Sequence, residues 1–522
     1  MKIIIISLAF ISLFFSSQAQ QVFDKHYTFN NWTVGYQVLE IPGQGYFIAG
    51  LNDSLSFDSN NQPVADFVEG IIVKLDYNGD TIKTFRIGNS DTAFYQQYGK
   101  NSDDFFRSIM IADDGNILVA GETQSYNADN IYDYDLWILK FNTDLDTLWT
   151  KLYSIPDSQL AINAGQGAKI HDGGIVLPGS QNYLGNPNSQ FRIAAFDSAG
   201  NLKFNSQVLK QYHGAFYGAV ETSDHGFIGS GTLYNSIANE DYSPIVIKMD
   251  SVGNSQWYSI LPFSGDLHFA NNITRTLDGN YIFNWANVVH QPGAAHKVWM
   301  LHATKIDELG NQIWTKEYGY TFDYYERIKE LPNGNFMIAG FYTDTLRTGR
   351  QAFLMLCDSN GDSLWTRKFS GAPGPSPGSV PDCWDGTYTS DGGYILTGAT
   401  ACCNFTPQLG WTSSLWVLKT DSLGLITSVI NLPKPSLNLA LLSSAFPNPT
   451  NNFTTISSII PPNTKNAFLI LFDANGRQLE QVKTVEGFNQ TIFDLSKYTT
   501  GEYVIALSVD GFNAGTKKII KH

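Results

Sequence analysis

Gly361-Asp362-Ser363-Leu364 and Gly374-Pro375-Ser376-Pro377-Gly378 are the two places where glycines set up a serine as a nucleophile would be set up. Such a serine needs a sharp strand-to-helix turn and a base within reach. The first string recurs as Gly253-Asn254-Ser255-Gln256 and Gly310-Asn311-Gln312-Ile313, so Ser363 fills a turn slot that other copies give to other residues. In the second, prolines on both sides of Ser376, in a Pro/Gly-rich connector, rule against the strand-to-helix elbow that such a nucleophile needs. His290, His296 and His302 recur every six residues, which is neither one face of a helix nor a zinc spacing. The sequence therefore nominates no catalytic residue, no metal ligand and no cofactor. Cys383 lies on one side of a turn near Asp391 to Gly393 and Cys402 and Cys403 on the other, which would set Cys383 on a strand facing Cys402 or Cys403. A cross-strand disulfide, Cys383 with Cys402, is expected in an oxidising compartment; closing a loop of about 20 residues would stabilise by roughly 3 kcal/mol. A Cys402–Cys403 bridge and free thiols are the alternatives, and Cys357 reads as a small core residue.

The elements that position these residues come from a repeat. Asp323 to Gly371 contains four apolar runs, two around Pro332-Asn333-Gly334-Asn335 and two around Asp358-Ser359-Asn360-Gly361. Each half reads as a hairpin closed by a glycine turn. The first half recurs with closing residues Gly50, Gly121, Gly179, Gly231, Trp285, Gly340 and Gly398, and the second half follows each time. Seven units of four short antiparallel strands, none able to cover both faces alone, predict a seven-bladed β-propeller over residues 20–432. Aromatic residues close six of the second halves, at Phe85, Trp149, Phe204, Trp257, Trp314 and Trp365. The seventh has none, whereas Val22 to Phe29 reads like Trp314 to Gly319. The N-terminal strand is therefore expected to complete the last unit and shut the ring.

Within each unit the hairpin turns are tight and the link between hairpins is long, from Leu51 to Glu69 through Ala399 to Ser413. With strands in order from the axis outward, the tight turns share one end of the disc and the long links the other. Loops on a rigid frame carry binding groups, so a glycan or protein ligand is expected at the long-link end, among Tyr126, Tyr132, Tyr183, Tyr234, Trp285 and Trp411. The strings Asp307 to Trp314 and Asp358 to Trp365 are similar to the Asp-box of sialidase propellers, with each gap one residue longer. That resemblance implies a structural aspartate capping turn amides and a tryptophan packed between blades, and it implies no sialidase activity.

Met1-Lys2, an apolar run to Phe15 and a small-x-small end at Ser17-Gln18-Ala19 describe a signal peptide over residues 1–19, cut between Ala19 and Gln20. No later segment is apolar enough to span a membrane as a helix. A net charge of −15, with lysines clustered only at the extreme C-terminus, argues against nucleic acid as a partner. After a linker at 433–443, residues 444–522 alternate as strands of a small β-sandwich. Their blocks are Phe446-Pro447-Asn448-Pro449, Phe472 to Gly476, Gly501-Glu502-Tyr503 and the terminal Lys517-Lys518-Ile519-Ile520-Lys521. In that order they resemble the C-terminal sorting domain of the type IX secretion system. The resemblance implies a Gram-negative bacterium of the Bacteroidota, the secretion machinery as partner, and export to the outer-membrane surface or beyond. The expected function is a secreted or cell-surface binding module; the rival is an extracellular hydrolase or lyase acting on polysaccharide at the long-link face.

Overall fold

The computed structural model describes residues 21–426 except 30–31, 58–62, 89–102, 125–133, 155–157, 162–165, 184–188, 237–240, 262–267, 290–297, 322–325, 344–349, 370–380 and 407–409, and residues 441–522 except 444, 462–463, 475–476 and 510–511. Among these residues every regular element is a β-strand, and no helix is long and apolar enough to cross a membrane. Two compact units divide the chain, Met1–Thr427 and Ser428–His522.

In the unit around Pro332, strands Arg327–Glu330, Phe336–Thr343, Arg350–Cys357 and Ser363–Phe369 pair in sequence order, all antiparallel. The first turn is closed by the Gly334 amide on the Leu331 carbonyl at 2.9 Å, with Gly334 at φ 80°. Only a residue without a Cβ adopts that φ freely, which is why the glycine punctuates the sequence. The same order recurs in the sheets spanning 104–153, 214–260 and 268–321. In the third repeat the first strand is cut to Ala168–Lys169, and Ser158–Ala161 pairs further along the same neighbour, Ile175–Tyr183. The first and last repeats, 32–87 and 381–420, join into one sheet through a parallel bridge between Trp32 and Ser413.

Burial follows strand position. Ile117–Thr123 and Asp135–Phe141 are buried along their whole length, while Thr147–Tyr153 alternates with solvent. The apolar cores lie between consecutive sheets: Phe47 and Ile72 of the first repeat pack with Phe106 and Trp137 of the second, and Ile395 and Val417 of the last pack with Ile48 and Val73 of the first. Burying each such side chain is worth about 1.5–3 kcal/mol, none of which an isolated sheet would collect.

Adjacent first strands are also stitched together. The Ile109 amide donates to Gln37 at 2.7 Å, the Gly167 amide to the Ser108 hydroxyl at 2.6 Å, the Ile328 amide to Asn272 at 2.9 Å and the Val38 amide to Asp385 at 3.1 Å. The last of these links the first repeat to the last.

Tight turns share one end, as expected, and a buried lysine fixes them there. Lys140, Lys248, Lys305 and Lys419 on third strands reach Asp114, Asp224, Asp278 and Asp391 in the first turn of the same repeat, at 2.6–2.9 Å. The second turns are capped by their leading side chain. Asp250 accepts the Val252 and Asn254 amides, and Asp76, Asn142, Asp197, Asp307, Asp358 and Asp421 do likewise.

Strand Phe23–Tyr27 lies antiparallel on Gly410–Thr420, the third strand of the last repeat, and so takes the fourth place in that sheet. Lys25 reaches Asp80 at 2.5 Å and the Tyr27 hydroxyl the Gly79 carbonyl at 2.5 Å, as Lys316 reaches Asp362 and Tyr318 the Gly361 carbonyl.

Two expectations are corrected. The links 51–69 and 399–413 are paired ribbons as well as loops: Ser54 faces Phe67, and Phe405 faces Trp411. Cys383 sits opposite Gly398 rather than Cys402, and carries a free, buried thiol. A bulge beside Cys383 sets that register. The side chains of Cys402 and Cys403 lie outside the described residues.

In the second unit, strands Leu441–Leu442, Phe453–Ile460 and Gly487–Asp494 form one sheet, and Gln478–Thr484, Ala467–Asp473, Gly501–Val509 and Phe512–Lys521 the other. Ile456, Leu469, Phe493, Ile505 and Ile519 fill the space between them. Leu441–Leu442, placed in the linker by sequence, already belongs to this sandwich.

Candidate functional site

Several first strands carry a β-bulge at the same place. The antiparallel register slips between Gly35 and Gln37, Phe106 and Ser108, Phe216 and Gly218, Ala270 and Ile273, and Cys383 and Asp385. The residues left out of the ladder are Tyr36, Arg107, Tyr217, the pair Asn271-Asn272, and Trp384. A bulge re-aims a side chain that regular alternation would bury against the next sheet. Tyr36, Arg107, Tyr217 and Trp384 are half-buried, where their strand neighbours Val34, Phe106, Phe216 and Cys383 are fully buried.

These side chains meet across repeats. Trp384 stands edge-on to Tyr36 with ring centroids 5.2 Å apart, and the Arg107 guanidinium lies 4.2 Å from the Tyr36 ring centre and 4.5 Å from that of Phe105. Phe105 in turn contacts Tyr134, whose hydroxyl donates to Asp103 at 3.0 Å. Burial pushes the Tyr134 hydroxyl pKa up, and the Asp103 carboxylate adds to this, so Tyr134 stays a protonated donor. At the fifth and sixth repeats Asn271 donates to Glu326 at 3.3 Å. A second aromatic run, Tyr234, Tyr242, Phe269 and Trp299, continues from Tyr217 with successive ring centres 5.0–5.4 Å apart after the 3.5 Å contact of the Tyr217 and Tyr234 hydroxyls. Phe105, Tyr134, Tyr234 and Trp299 sit at strand ends away from the tight turns. Flat aromatic faces with a guanidinium among them suit stacking on a sugar ring and pairing with an anionic group.

Of the aromatic residues named from the long links, Tyr234 belongs to this run. Trp285 does not: it is buried in strand Tyr281–Val289, stacked on His302 at 3.9 Å and donating to Thr304 at 3.0 Å. Burial, aided by His268, lowers the His302 pKa to about 4, so the ring is neutral and serves the core. Tyr126, Tyr132, His290, His296, Ser376 and the cleavage pair Ala19 and Gln20 lie outside the described residues, as do the side chains of Tyr183 and Trp411. Ser363 is exposed and opens the strand Ser363–Phe369, and its neighbour Asp362 is engaged by Lys316 at 2.6 Å. A separate cavity of about 290 Å³ between the fifth and sixth repeats is lined by Leu301, Tyr318, Tyr342, Phe353, Met355, Thr366 and Lys368, with Lys368 3.5 Å from the Tyr342 ring centre.

In the second unit the motif residues converge. The Asn448 side chain donates to the Lys518 carbonyl and accepts the Ile520 amide, both at 2.8 Å, which pins Pro447-Asn448-Pro449 to the terminal strand. Gly501 opens the strand in which Tyr503 is buried, its hydroxyl on the Thr499 carbonyl at 2.5 Å. Lys517 and Lys518 face Ile505 and Val504, and Lys518 reaches Glu502 at 2.6 Å. Head, Tyr503 strand and tail are thus one structural piece.

Residues 444–522 match the secretion system C-terminal sorting domain family. No curated protein matches the chain. Among solved structures, the chain is similar to an ulvan lyase of polysaccharide lyase family PL25 at 10% identity, over 76% of this chain and 96% of that one, with a TM-score of 0.44. The β-propeller domain of the Trilobed protease from Pyrococcus furiosus, with an open velcro topology, aligns at 9% identity over 77% and 99%, TM-score 0.37. The α-L-arabinofuranosidase Arb93A from Fusarium graminearum aligns at 11% over 59% and 91%, TM-score 0.39. Likenesses at this level say nothing of what this chain binds.

Proposed function

We propose that the protein is a seven-bladed β-propeller, closed by its N-terminal strand, that is exported by the type IX route in a bacterium of the Bacteroidota and binds acidic glycan at the cell surface or beyond. On this reading the signal peptide is cut between Ala19 and Gln20, and the sorting domain is the part that the secretion machinery engages. The mature propeller then acts through the bulge residues of its first strands. The observation that carries the binding function is the contact series Trp384, Tyr36, Arg107, Phe105, drawn from three repeats, with Arg107 the cation among aromatic faces. A single repeat contributes one or two of these groups, so the site requires the repeats to be assembled. A polysaccharide hydrolase or lyase at the same face would need an acid–base pair in addition to these stacking groups.

The test is a glycan array probed with the mature chain, joined to product analysis on every polysaccharide that binds. Binding to uronate- or sulfate-bearing glycans without product supports the proposal. Release of shortened sugars would replace it with the enzymatic reading, and the absence of any binding would remove it.

A further inference from the structure

The tight-turn end carries a group unlike the site just described. In the first turn of most repeats the fourth residue after the strand is a glycine at positive φ: Gly115, Gly173, Gly279, Gly334 and Gly392 lie at φ 77–85°. The fourth repeat has His225 there, at φ 60°. A β-carbon in this conformation is strained, and a non-glycine residue held so points to a role for its side chain. Leu145, in the same region at φ 57°, has an apolar reason, being buried in the cluster that includes Phe85. His225 is exposed and has no such packing. At Gly115, Gly279 and Gly334 an added Cβ would meet nothing within 4 Å, so the slot projects its side chain into open space.

Across from it, the third repeat supplies His171. The His171 and His225 rings lie 4.0 Å apart, centre to centre, and both Nδ1 atoms face the same oxygen of Glu221, His225 at 3.4 Å and His171 in direct contact. The other Glu221 oxygen accepts the His171 amide at 2.6 Å. That backbone contact is a repeat feature: Glu40 takes the Ser390 amide and Glu330 the Leu277 amide, each at 2.5 Å. The repeat fold thus explains the carboxylate but neither histidine. Among the described residues, these three place one donor atom each within 4.8 Å of one another.

We infer that His171, Glu221 and His225 bind one divalent transition-metal ion of the zinc class, clamping the third and fourth repeats together. Two imidazole nitrogens and one carboxylate oxygen are a donor set for zinc, nickel or copper(II) rather than for calcium or magnesium, which take oxygen ligands. The exposed position leaves a further coordination place for water or for a donor from a partner. This site is independent of the glycan reading.

The full chain, stripped with chelator, should be titrated with zinc chloride by calorimetry, alongside His225→Gly and His171→Ser. Both replacements are what other repeats carry at those places, so both should fold, and His225→Gly should melt no lower than the parent apo protein. The expected result is one zinc bound at low-micromolar or tighter concentration, about tenfold or more weaker in each variant, with a zinc-dependent rise in Tm that both variants lose. Equal affinity in the parent and both variants, or no binding by the parent, overturns the assignment.

Discussion

At Gly310 one hydrogen in place of a methyl decides whether two repeats can touch. A Cβ there would lie 2.6 Å from the Trp257 ring of the preceding repeat, and the residue sits at φ 83°. The same pairing joins Gly200 to Trp149, Gly253 to Phe204, Gly361 to Trp314 and Gly424 to Trp365, at 2.5–2.7 Å. The glycine therefore serves twice, as a turn former and as the floor on which the neighbour's aromatic rests. Gly310→Ala is expected to cost about 2 kcal/mol or more, the sum of a positive-φ penalty and a displaced ring. Urea unfolding measures it, and a midpoint equal to the parent's would show that the ring moves aside freely. The turn glycines and closing aromatics were both legible in the sequence. Their partnership across repeats was not, because the two residues are some fifty positions apart and nothing local marks them as neighbours.

The strand Phe23–Tyr27 makes the same point for an element. It pairs with the last repeat, yet Phe23 covers Gly79 of the first, where a Cβ would lie 2.8 Å from its ring. It thus supplies the aromatic that the last repeat's own sequence lacks, in line with the reading of Val22 to Phe29 as a displaced outer strand. Removing residues 21–29 would expose the edge of Gly410–Thr420 and uncover the buried Leu415 and Val417 beside it. The truncated protein is expected to melt at least several degrees lower and to associate on gel filtration. An unchanged Tm and a monomer would mean that the strand is an ornament. Bulges, by contrast, were invisible as elements: one extra residue does not alter the apolar pattern of a short strand. A trace existed all the same, since Tyr36, Arg107, Tyr217 and Trp384 stand at a common distance ahead of Gly50, Gly121, Gly231 and Gly398. Their chemistry differs from repeat to repeat while the frame around them does not, as the proposed binding function would require of them.

Over the whole molecule, the repeat and the sorting domain were readable because each is redundant: repetition reinforces one, and a set of ordered end motifs the other. Connection lengths point to the long-link end as the place for a ligand, but an aromatic residue read from the links need not stand there, as Trp285 shows. An aromatic residue next to a long link can belong to the core when its strand continues past the boundary suggested by the sequence. The series Trp384, Tyr36 and Arg107 is brought together from separate repeats, and only the assembled fold specifies it. The central claim is therefore that Arg107 and Trp384, contributed by the second and last repeats, act on one ligand. Calorimetric titration of an acidic oligosaccharide into the parent, Arg107→Ala and Trp384→Ala, with Tm recorded for each, tests this directly. The account predicts that each variant loses about tenfold or more in affinity, roughly 1.4 kcal/mol, while Tm stays within a few degrees of the parent's; full affinity in both folded variants would contradict it.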